Sequence, residues 1–227
     1  MSGEPRVRTS SLLRLRDLPP VFDLREVERA MGCSRNAAKV TCSRWKRAGL
    51  VSALGPRNVG VFFNLIADPN GLLTRRAQAL QRLLRRPAVL VGPMALHAHG
   101  WTTQRPHRLQ LAVPITREVR SLPTLDHGLR LLPRSIRWFN ALAETAEPGV
   151  ESFLVALPEM ALADALLASN RRIGARAGRT MGWEPSPDET DVDPGDARAW
   201  ASVRSALLTL GASAQEADAL LQPYLHP

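Results

Sequence analysis

The sequence has few of the features that mark secreted or membrane proteins. It holds only two cysteines in 227 residues, so no disulfide framework is expected, and a reducing cytoplasm is the default location. Its longest apolar runs are short and carry charges, far below the roughly 18 residues that a membrane-spanning helix needs. Near the N-terminus Arg14, Arg16 and Asp17 interrupt the apolar stretch, so the hydrophobic part of a secretory signal is missing. We expect a cytoplasmic protein that does not enter a membrane.

Motifs of several enzyme classes are also missing. There is no glycine-rich phosphate loop, no nucleophile elbow and no zinc-protease motif. Aromatic residues make up only 5% of the chain. Single aromatic residues are more typical of core positions than of a base-stacking platform, and this applies to Trp101, Trp138, Trp183 and Trp200. We therefore expect a protein without catalytic activity, without a cofactor and without a metal site.

The charge is large and unevenly distributed. Formal net charge is +9, with 30 basic against 21 acidic side chains. Residues 1–65 hold 12 basic and 5 acidic side chains, residues 66–140 hold 12 and 3, and residues 141–227 hold 6 and 13. A basic front half is typical of proteins that meet polyanions, and an acidic back half of regions that meet proteins.

The local patterns predict an α+β protein of two domains. Residues 9–31 are expected to form two helices around a Leu18-Pro19-Pro20 break, and residues 35–48 a helix that Ser34 starts and Gly49 stops. Residues 50–65 show a hairpin pattern. A turn cluster near Asp68 marks the boundary, so residues 1–68 form a winged helix-turn-helix domain and residues 69–227 a mixed α/β domain. That second domain includes an acidic, proline-rich loop at 184–196 without a packing pattern, and helices at the end of the chain.

The helix at 35–48 carries the strongest functional signal. On a helical wheel its polar and basic residues gather opposite an apolar half that contains Trp45, and no acidic residue occurs between Ser34 and Leu65. Arginine, asparagine and valine suit the edges of bases in the major groove. The candidates for base reading are Arg35, Asn36, Lys39, Val40 and Ser43. The candidates for phosphate and wing contacts are Arg44, Lys46, Arg47, Arg57 and Asn58.

A second basic face is predicted on a helix at 72–86. Leu73, Ala77, Leu80 and Leu84 fall within one arc of that helix. The residues on the other side are Arg75, Arg76, Arg82, Arg85 and Arg86. This face either extends the phosphate footprint or is an ordinary solvated surface, and the sequence does not separate the two.

Other titratable residues favour structural roles. His97 and His99 point to nearly opposite sides of a helix, so packing or hydrogen bonding is favoured over metal binding. Asp164 lies among alanines and leucines and is expected to be a hydrogen-bonded anchor for an arginine from elsewhere. Cys42 falls on the packed face of its helix, as a buried thiol would.

Several motifs in order resemble the AbiEi-type antitoxins of type IV toxin–antitoxin (abortive infection) systems. They are Phe22-Asp23-Leu24, Gly32-Cys33-Ser34, the segments 45–51 and 88–101, Gln104-Arg105-Pro106 and the segment 157–166. The resemblance covers about residues 20–170. It implies an N-terminal winged domain that represses its own operon, and a C-terminal domain that counteracts a cognate nucleotidyltransferase-like toxin.

The resulting expectation is an antitoxin that binds double-stranded operator DNA and a toxin. Two alternatives remain open: a stand-alone winged-helix transcription factor whose second domain senses a ligand, and a metal-dependent nuclease acting on DNA. A nucleotidyltransferase-like reading frame next to the gene favours the antitoxin, and cleavage lost with His97 or Asp164 favours the nuclease. The oligomeric state does not follow from the sequence.

Overall fold

The computed structural model describes residues 9–56, 59–115, 125–172 and 183–226, which form a mixed α+β fold with two β-sheets. The chain divides into two compact units. The first comprises residues 1–87 together with 122–127, and the second comprises residues 88–121 and 128–227. Within the described ranges, no helix combines the length and the apolar character that a membrane crossing requires.

In its described residues, the first unit combines five helices with a small antiparallel sheet. Its helices are α1 (Thr9–Arg16), α2 (Leu24–Met31), α3 (Arg35–Arg47), α4 (Gly71–Thr74) and α5 (Arg76–Leu84). Its strands are β1 (Val21–Asp23), β2 (Val51–Ala53) and β3 (Val61–Asn64), in the order β1-β3-β2. Phe63 of the central strand pairs with Val21 on one side and with Ser52 on the other.

Local capping explains where α2 and α3 begin and end. The Asp23 side chain accepts hydrogen bonds from the first turn of α2, and the Glu26 carboxylate accepts one from the Asp23 N–H at 2.8 Å. Gly32 ends α2 with a φ of 59°, a left-handed conformation that glycine adopts at low cost. Ser34 then caps α3 by accepting a hydrogen bond from the Ala37 N–H. These caps confirm the helix, turn and helix expected at residues 24–48.

The core of the first unit is built around Trp45 of α3. Its ring is fully buried and meets Phe22 edge to face at 6.4 Å, and its indole N–H donates to Ser11 Oγ at 3.0 Å. Asn64 is buried as well, and both the nitrogen and the oxygen of its side-chain amide form hydrogen bonds. Its Nδ2 donates to the carbonyls of Leu15 and Leu18, and its oxygen accepts from the backbone that follows β3. These contacts fix α1 and α3 against the sheet.

The boundary between the units lies later than the sequence indicated. A boundary after residue 68 would separate α5 from the sheet that it contacts, β1 and β3. Ala79 and Leu80 of α5 are fully buried in that contact. The first unit therefore continues to residue 87.

The structure of the first unit differs from the sequence analysis at two further points. Residues 21–23 form strand β1, which the sequence analysis did not anticipate. The single helix expected at 72–86 is broken at Arg75, whose φ of −117° is not helical. The break shifts the buried face, so that Leu73 is 64% exposed although a continuous helix would have turned it inward.

Among the residues that the structure describes, the second unit contains a mixed five-stranded sheet and five α-helices. Its strands are β4 (Val89–Val91), β5 (Leu109–Pro114), β6 (Leu129–Arg134), β7 (Glu147–Pro148) and β8 (Leu154–Val155), in the order β6-β5-β4-β8-β7. Its helices are α6 (Pro93–Ala98), α7 (Ile136–Thr145), α8 (Pro158–Asn170), α9 (Ala197–Thr209) and α10 (Ala214–Leu225). The β4–β8 and β5–β6 pairs are parallel, and the β4–β5 and β7–β8 pairs are antiparallel. Helix α7 was not anticipated from the sequence.

Helix α8 forms the centre of the second unit. Its residues from Met160 to Ala168 are all buried, as expected for a helix that is apolar around its whole circumference. It contacts β4 and α6, and it also contacts α9 and α10. An acidic residue within this helix, Asp164, therefore needs a buried partner.

A candidate nucleic-acid interface

The outer face of α3 brings the predicted base-reading residues together. Arg35, Asn36, Lys39, Val40 and Ser43 are all exposed, and Val40 retains 51% of its accessible surface. Three of the predicted phosphate-contacting residues, Arg44, Lys46 and Arg47, are exposed on the same helix. The opposite face is buried through Ala38, Cys42 and Trp45. The helix therefore presents hydrogen-bond donors and positive charge to solvent on a rigid support.

A groove of about 790 Å³ lies between α3 and the β2–β3 hairpin. Its helical wall includes Lys39, Val40, Ser43, Lys46 and Arg47, and its apolar floor includes Leu24, Cys42 and Phe62. Its hairpin wall is formed by Ala53, Gly55, Pro56 and Gly60. None of these lining residues is acidic, so the groove suits an anionic occupant.

The hairpin tip cannot be placed, since Arg57 and Asn58 lie outside the described residues. Pro56 on one side of the tip is exposed, whereas Val59 on the other side is buried. The assignment of both tip residues as wing contacts stays a prediction.

Helix α2 also carries two exposed cations that the sequence analysis did not consider. Arg25 and Arg29 are both exposed, and their spacing of four residues places them on one face of α2. The buried residues of the same helix, Leu24 and Val27, lie on the other side. That alternation can be read from the sequence, so the exposure of this pair could have been predicted.

The second basic face is not a continuous cationic surface. Arg75 Nε bonds to Asp68 Oδ2 at 2.9 Å, and Arg82 Nη1 bonds to Glu26 Oε2 at 2.6 Å. Arg76 Nη1 donates to the His127 carbonyl at 2.8 Å. Arg85 and Arg86, which directly follow α5, are exposed. Three of the five arginines therefore bind groups of the first unit, and the role of this face in phosphate binding stays a prediction.

Cys42 is a buried thiol, as expected. It is 1% exposed, and burial raises its pKa from 9.0 to about 12. Neither Cys42 nor the partly buried Cys33 forms a disulfide. Uncharged at neutral pH, Cys42 contributes an apolar surface to the floor of the groove.

In the second unit, Asp164 binds an arginine, which confirms its expected role as an anchor. Arg134 Nε and Nη2 donate to its two carboxylate oxygens at 2.6 and 2.8 Å. Both side chains are buried, with 3% and 1% of their surface exposed. The Arg134 guanidinium also lies 5.3 Å from the centre of the Trp138 ring. This pair joins the end of β6 to α8 inside the unit.

The two histidines of α6 lie at its end. His97 Nδ1 lies 3.2 Å from the Thr102 carbonyl, which agrees with a role in local hydrogen bonding. His99 Nε2 is buried without a recorded partner. Across the described ranges, no three His, Cys, Asp or Glu side chains come together as a potential metal site.

The acidic segment at 184–196 contains no buried residue, as a loop without a packing pattern would, but several of its carboxylates form internal hydrogen bonds. Glu189 accepts the Trp183 indole N–H at 2.8 Å, and Asp191 accepts the Thr103 backbone N–H at 2.6 Å. Asp196 caps α9. These three carboxylates serve internal hydrogen bonds, which the proline-rich composition of the segment did not reveal.

Comparison with known proteins gives little further information. No family model matches the chain, and no curated protein matches it. The chain is similar in structure to the RV2827C protein of Mycobacterium tuberculosis, with a TM-score of 0.48 and 16% sequence identity over 96% of this chain and 82% of that one. This similarity is too low to support an assignment of function.

Proposed function

We propose that this chain is a DNA-binding repressor of the winged helix-turn-helix class that also acts as an antitoxin. The observation that carries the DNA-binding part is the exposed, acid-free face of α3 beside a groove that also lacks acidic residues. In this proposal α3 is the recognition helix and the β2–β3 hairpin is the wing. The protein acts by binding, without a catalytic step.

The geometry of B-DNA accounts for both the exposed face of α3 and the protein groove between α3 and the β2–β3 hairpin. An α-helix fits the major groove of B-DNA, and a single sugar–phosphate strand separates that groove from the neighbouring minor groove. If α3 enters the major groove and the hairpin reaches the minor groove, that strand passes between them. The cations Lys46 and Arg47 then line its path, and binding becomes strongly dependent on salt.

Base reading is assigned first to Arg35 and Asn36. Both lie in the first turn of α3, and the N-terminal residues of a recognition helix make the deepest contacts. Arginine can donate two hydrogen bonds to guanine, and asparagine can pair with adenine. Lys39, Val40 and Ser43, one and two turns further along, complete the proposed base-reading set, and Arg44, Lys46 and Arg47 hold phosphates.

The DNA-binding proposal is tested with the full chain and a fluorescent duplex from upstream of its own gene. The double variant Arg35→Ala/Asn36→Ala should reduce the preference for this duplex over a scrambled one by roughly 10- to 100-fold in an anisotropy titration. Gln104→Ala/Arg105→Ala is the matched control, because it also removes one exposed arginine and a neighbouring carboxamide. Unchanged preference in the α3 variant would overturn the assignment of this helix.

The antitoxin part of the proposal concerns the second unit. It is supported by the resemblance of segments 88–101 and 157–166 to AbiEi-type antitoxins and by the acidic balance of residues 141–227. The proposed partner is a nucleotidyltransferase-like toxin encoded by the neighbouring reading frame. Such a toxin would be neutralised through the second unit, separately from the DNA-binding face.

Co-expression tests this second part. Cells that express the neighbouring reading frame should stop growing, and the full chain, expressed from an unrelated promoter, should restore growth. The Arg35→Ala/Asn36→Ala variant should restore growth equally well while failing to repress the native promoter. A wild-type chain that does not restore growth refutes the antitoxin role and favours a stand-alone regulator.

A further inference from the structure

A short segment from the middle of the sequence packs against the edge of the β2–β3 hairpin. Residues 125–127 belong to the first unit, although the chain passes through β4 and β5 of the second unit before reaching them. The Asp126 backbone N–H donates to the Leu54 carbonyl at 3.0 Å. His127 Nε2 lies 2.9 Å from the Ala53 carbonyl and 3.4 Å from Ser52 Oγ. We call residues 125–127 the edge segment.

Side-chain packing holds the edge segment from several directions. Leu125 is 6% exposed and lies so close to Gly55 that a Cβ at that glycine would come within 3.2 Å of it. The His127 ring meets Phe63 of β3 edge to face at 5.4 Å. Arg76 of α5 donates to the His127 carbonyl. The segment therefore contacts both hairpin strands and α5.

The backbone conformation of His127 is an uncommon one that depends on the contacts of the edge segment. Its φ is 61°, in the left-handed region that is uncommon for residues other than glycine. Such a conformation persists where the surrounding contacts determine it. The carbonyl of Ala53 can only accept, so the ring proton is assigned to Nε2.

Two of the hairpin residues that the edge segment contacts also line the groove. Ala53 and Gly55 line the hairpin wall opposite Lys39 and Ser43. We propose that the edge segment sets the position of this wall, and that His127 is a positioning residue for duplex binding. This inference rests on the proposed DNA-binding function. In it, His127 touches no DNA and acts through the hairpin.

The test compares two His127 variants in the full chain. His127→Ala removes the ring contacts, and His127→Gly removes them while also relieving the backbone strain. Both should lower duplex affinity by roughly three- to tenfold, the equivalent of one hydrogen bond. Both should also make the slope of log K against log salt less steep by about one, because a displaced wall leaves one phosphate poorly contacted. Asp126→Ala is the matched control, since its exposed side chain is lost while its backbone bond to Leu54 is kept.

Amide hydrogen exchange provides a second readout that does not need DNA. The Leu54 N–H donates to Val61 and the Val59 N–H to Pro56, both within the hairpin, whereas the Ala38 N–H donates within α3. In both His127 variants the two hairpin amides should exchange roughly tenfold faster, with Ala38 unchanged. Faster exchange at all three positions, with an affinity loss that is equal at every salt concentration, would show global destabilisation and overturn the inference.

The remaining outcomes separate this inference from the proposed function. If the wild type binds the duplex and both variants bind it equally well, the inference is wrong and the proposed function stands. If the wild type shows no salt-dependent duplex binding, the proposed function fails and the positioning role fails with it.

Discussion

The buried pair of Arg134 and Asp164 gives a quantitative prediction for the second unit. Asp164→Asn keeps the shape of the side chain but removes the charge that two short hydrogen bonds neutralise, at 2.6 and 2.8 Å. Arg134 then remains 3% exposed, with the Pro133 carbonyl at 3.3 Å and the Trp138 ring as its recorded partners. Neither group carries a negative charge. Breaking a buried ion pair in this way costs about 3–5 kcal/mol.

Urea unfolding of the full chain, followed by circular dichroism, measures this cost. With a slope of about 2 kcal/mol per molar urea, the unfolding midpoint of the second unit should fall by roughly 2 M. Arg204→Met is the control, since it breaks a 2.6 Å pair with Asp218 whose members are 42% and 59% exposed. Solvent screens that exposed pair, so the midpoint should stay close to the wild-type value.

A double substitution separates the charge from the packing. Arg134→Met/Asp164→Leu removes both charges together and should recover most of the lost stability, because no unpaired ion remains buried. A shift of less than about 0.5 M for Asp164→Asn, or a double variant as unstable as the single one, would refute the reasoning.

Three further predictions concern the first unit. Arg82→Met should lower the free energy of unfolding of the first unit by about 1 kcal/mol in the same assay, because a partly buried bond to Glu26 is lost. Arg85→Met is the control, since Arg85 is exposed and its loss should leave the free energy of unfolding unchanged. Equal effects of the two substitutions would contradict the contribution of the Arg82–Glu26 pair. At pH 8 a thiol reagent should modify Cys33 readily and Cys42 only after unfolding, and fast modification of both would contradict the burial of Cys42. Because the folded-state pKa of Cys42 is raised from 9.0 to about 12, its stabilising contribution is complete below pH 9 and is lost as the pH rises towards 12, which urea midpoints across that range would detect.

The elements that the sequence predicted well are those whose signals are local. Ser34 and Gly32 are capping residues, and the alternation of Ala38, Cys42 and Trp45 with basic residues defines the two faces of α3 within 13 residues. No distant contact is needed to read such a pattern, so the exposed face of α3 could be assigned before the fold was known.

The errors arose where a distant contact changed a local preference. The pattern of residues 72–86 is helical, but a break at Arg75, which bonds to Asp68, moved the buried face to Ala79 and Leu80. The arginines of that segment had looked free because nothing in their neighbourhood identified Glu26 or the His127 carbonyl as partners. Similarly, the composition of residues 184–196 did not show that their carboxylates accept internal hydrogen bonds.

The sequence by itself determined the caps and periodicity of α2 and α3, the hairpin that follows them and the charge of the α3 face, because these depend on residues within a few positions of one another. Only the tertiary structure decided which arginines are paired, that Arg134 is the partner of Asp164, and that residues 125–127 complete the hairpin edge beside the groove. The Arg134–Asp164 pair joins residues 30 positions apart and the Ser52–His127 contact joins residues 75 positions apart. Which of many possible partners meet over such distances is settled by the packing of the whole unit rather than by any local preference.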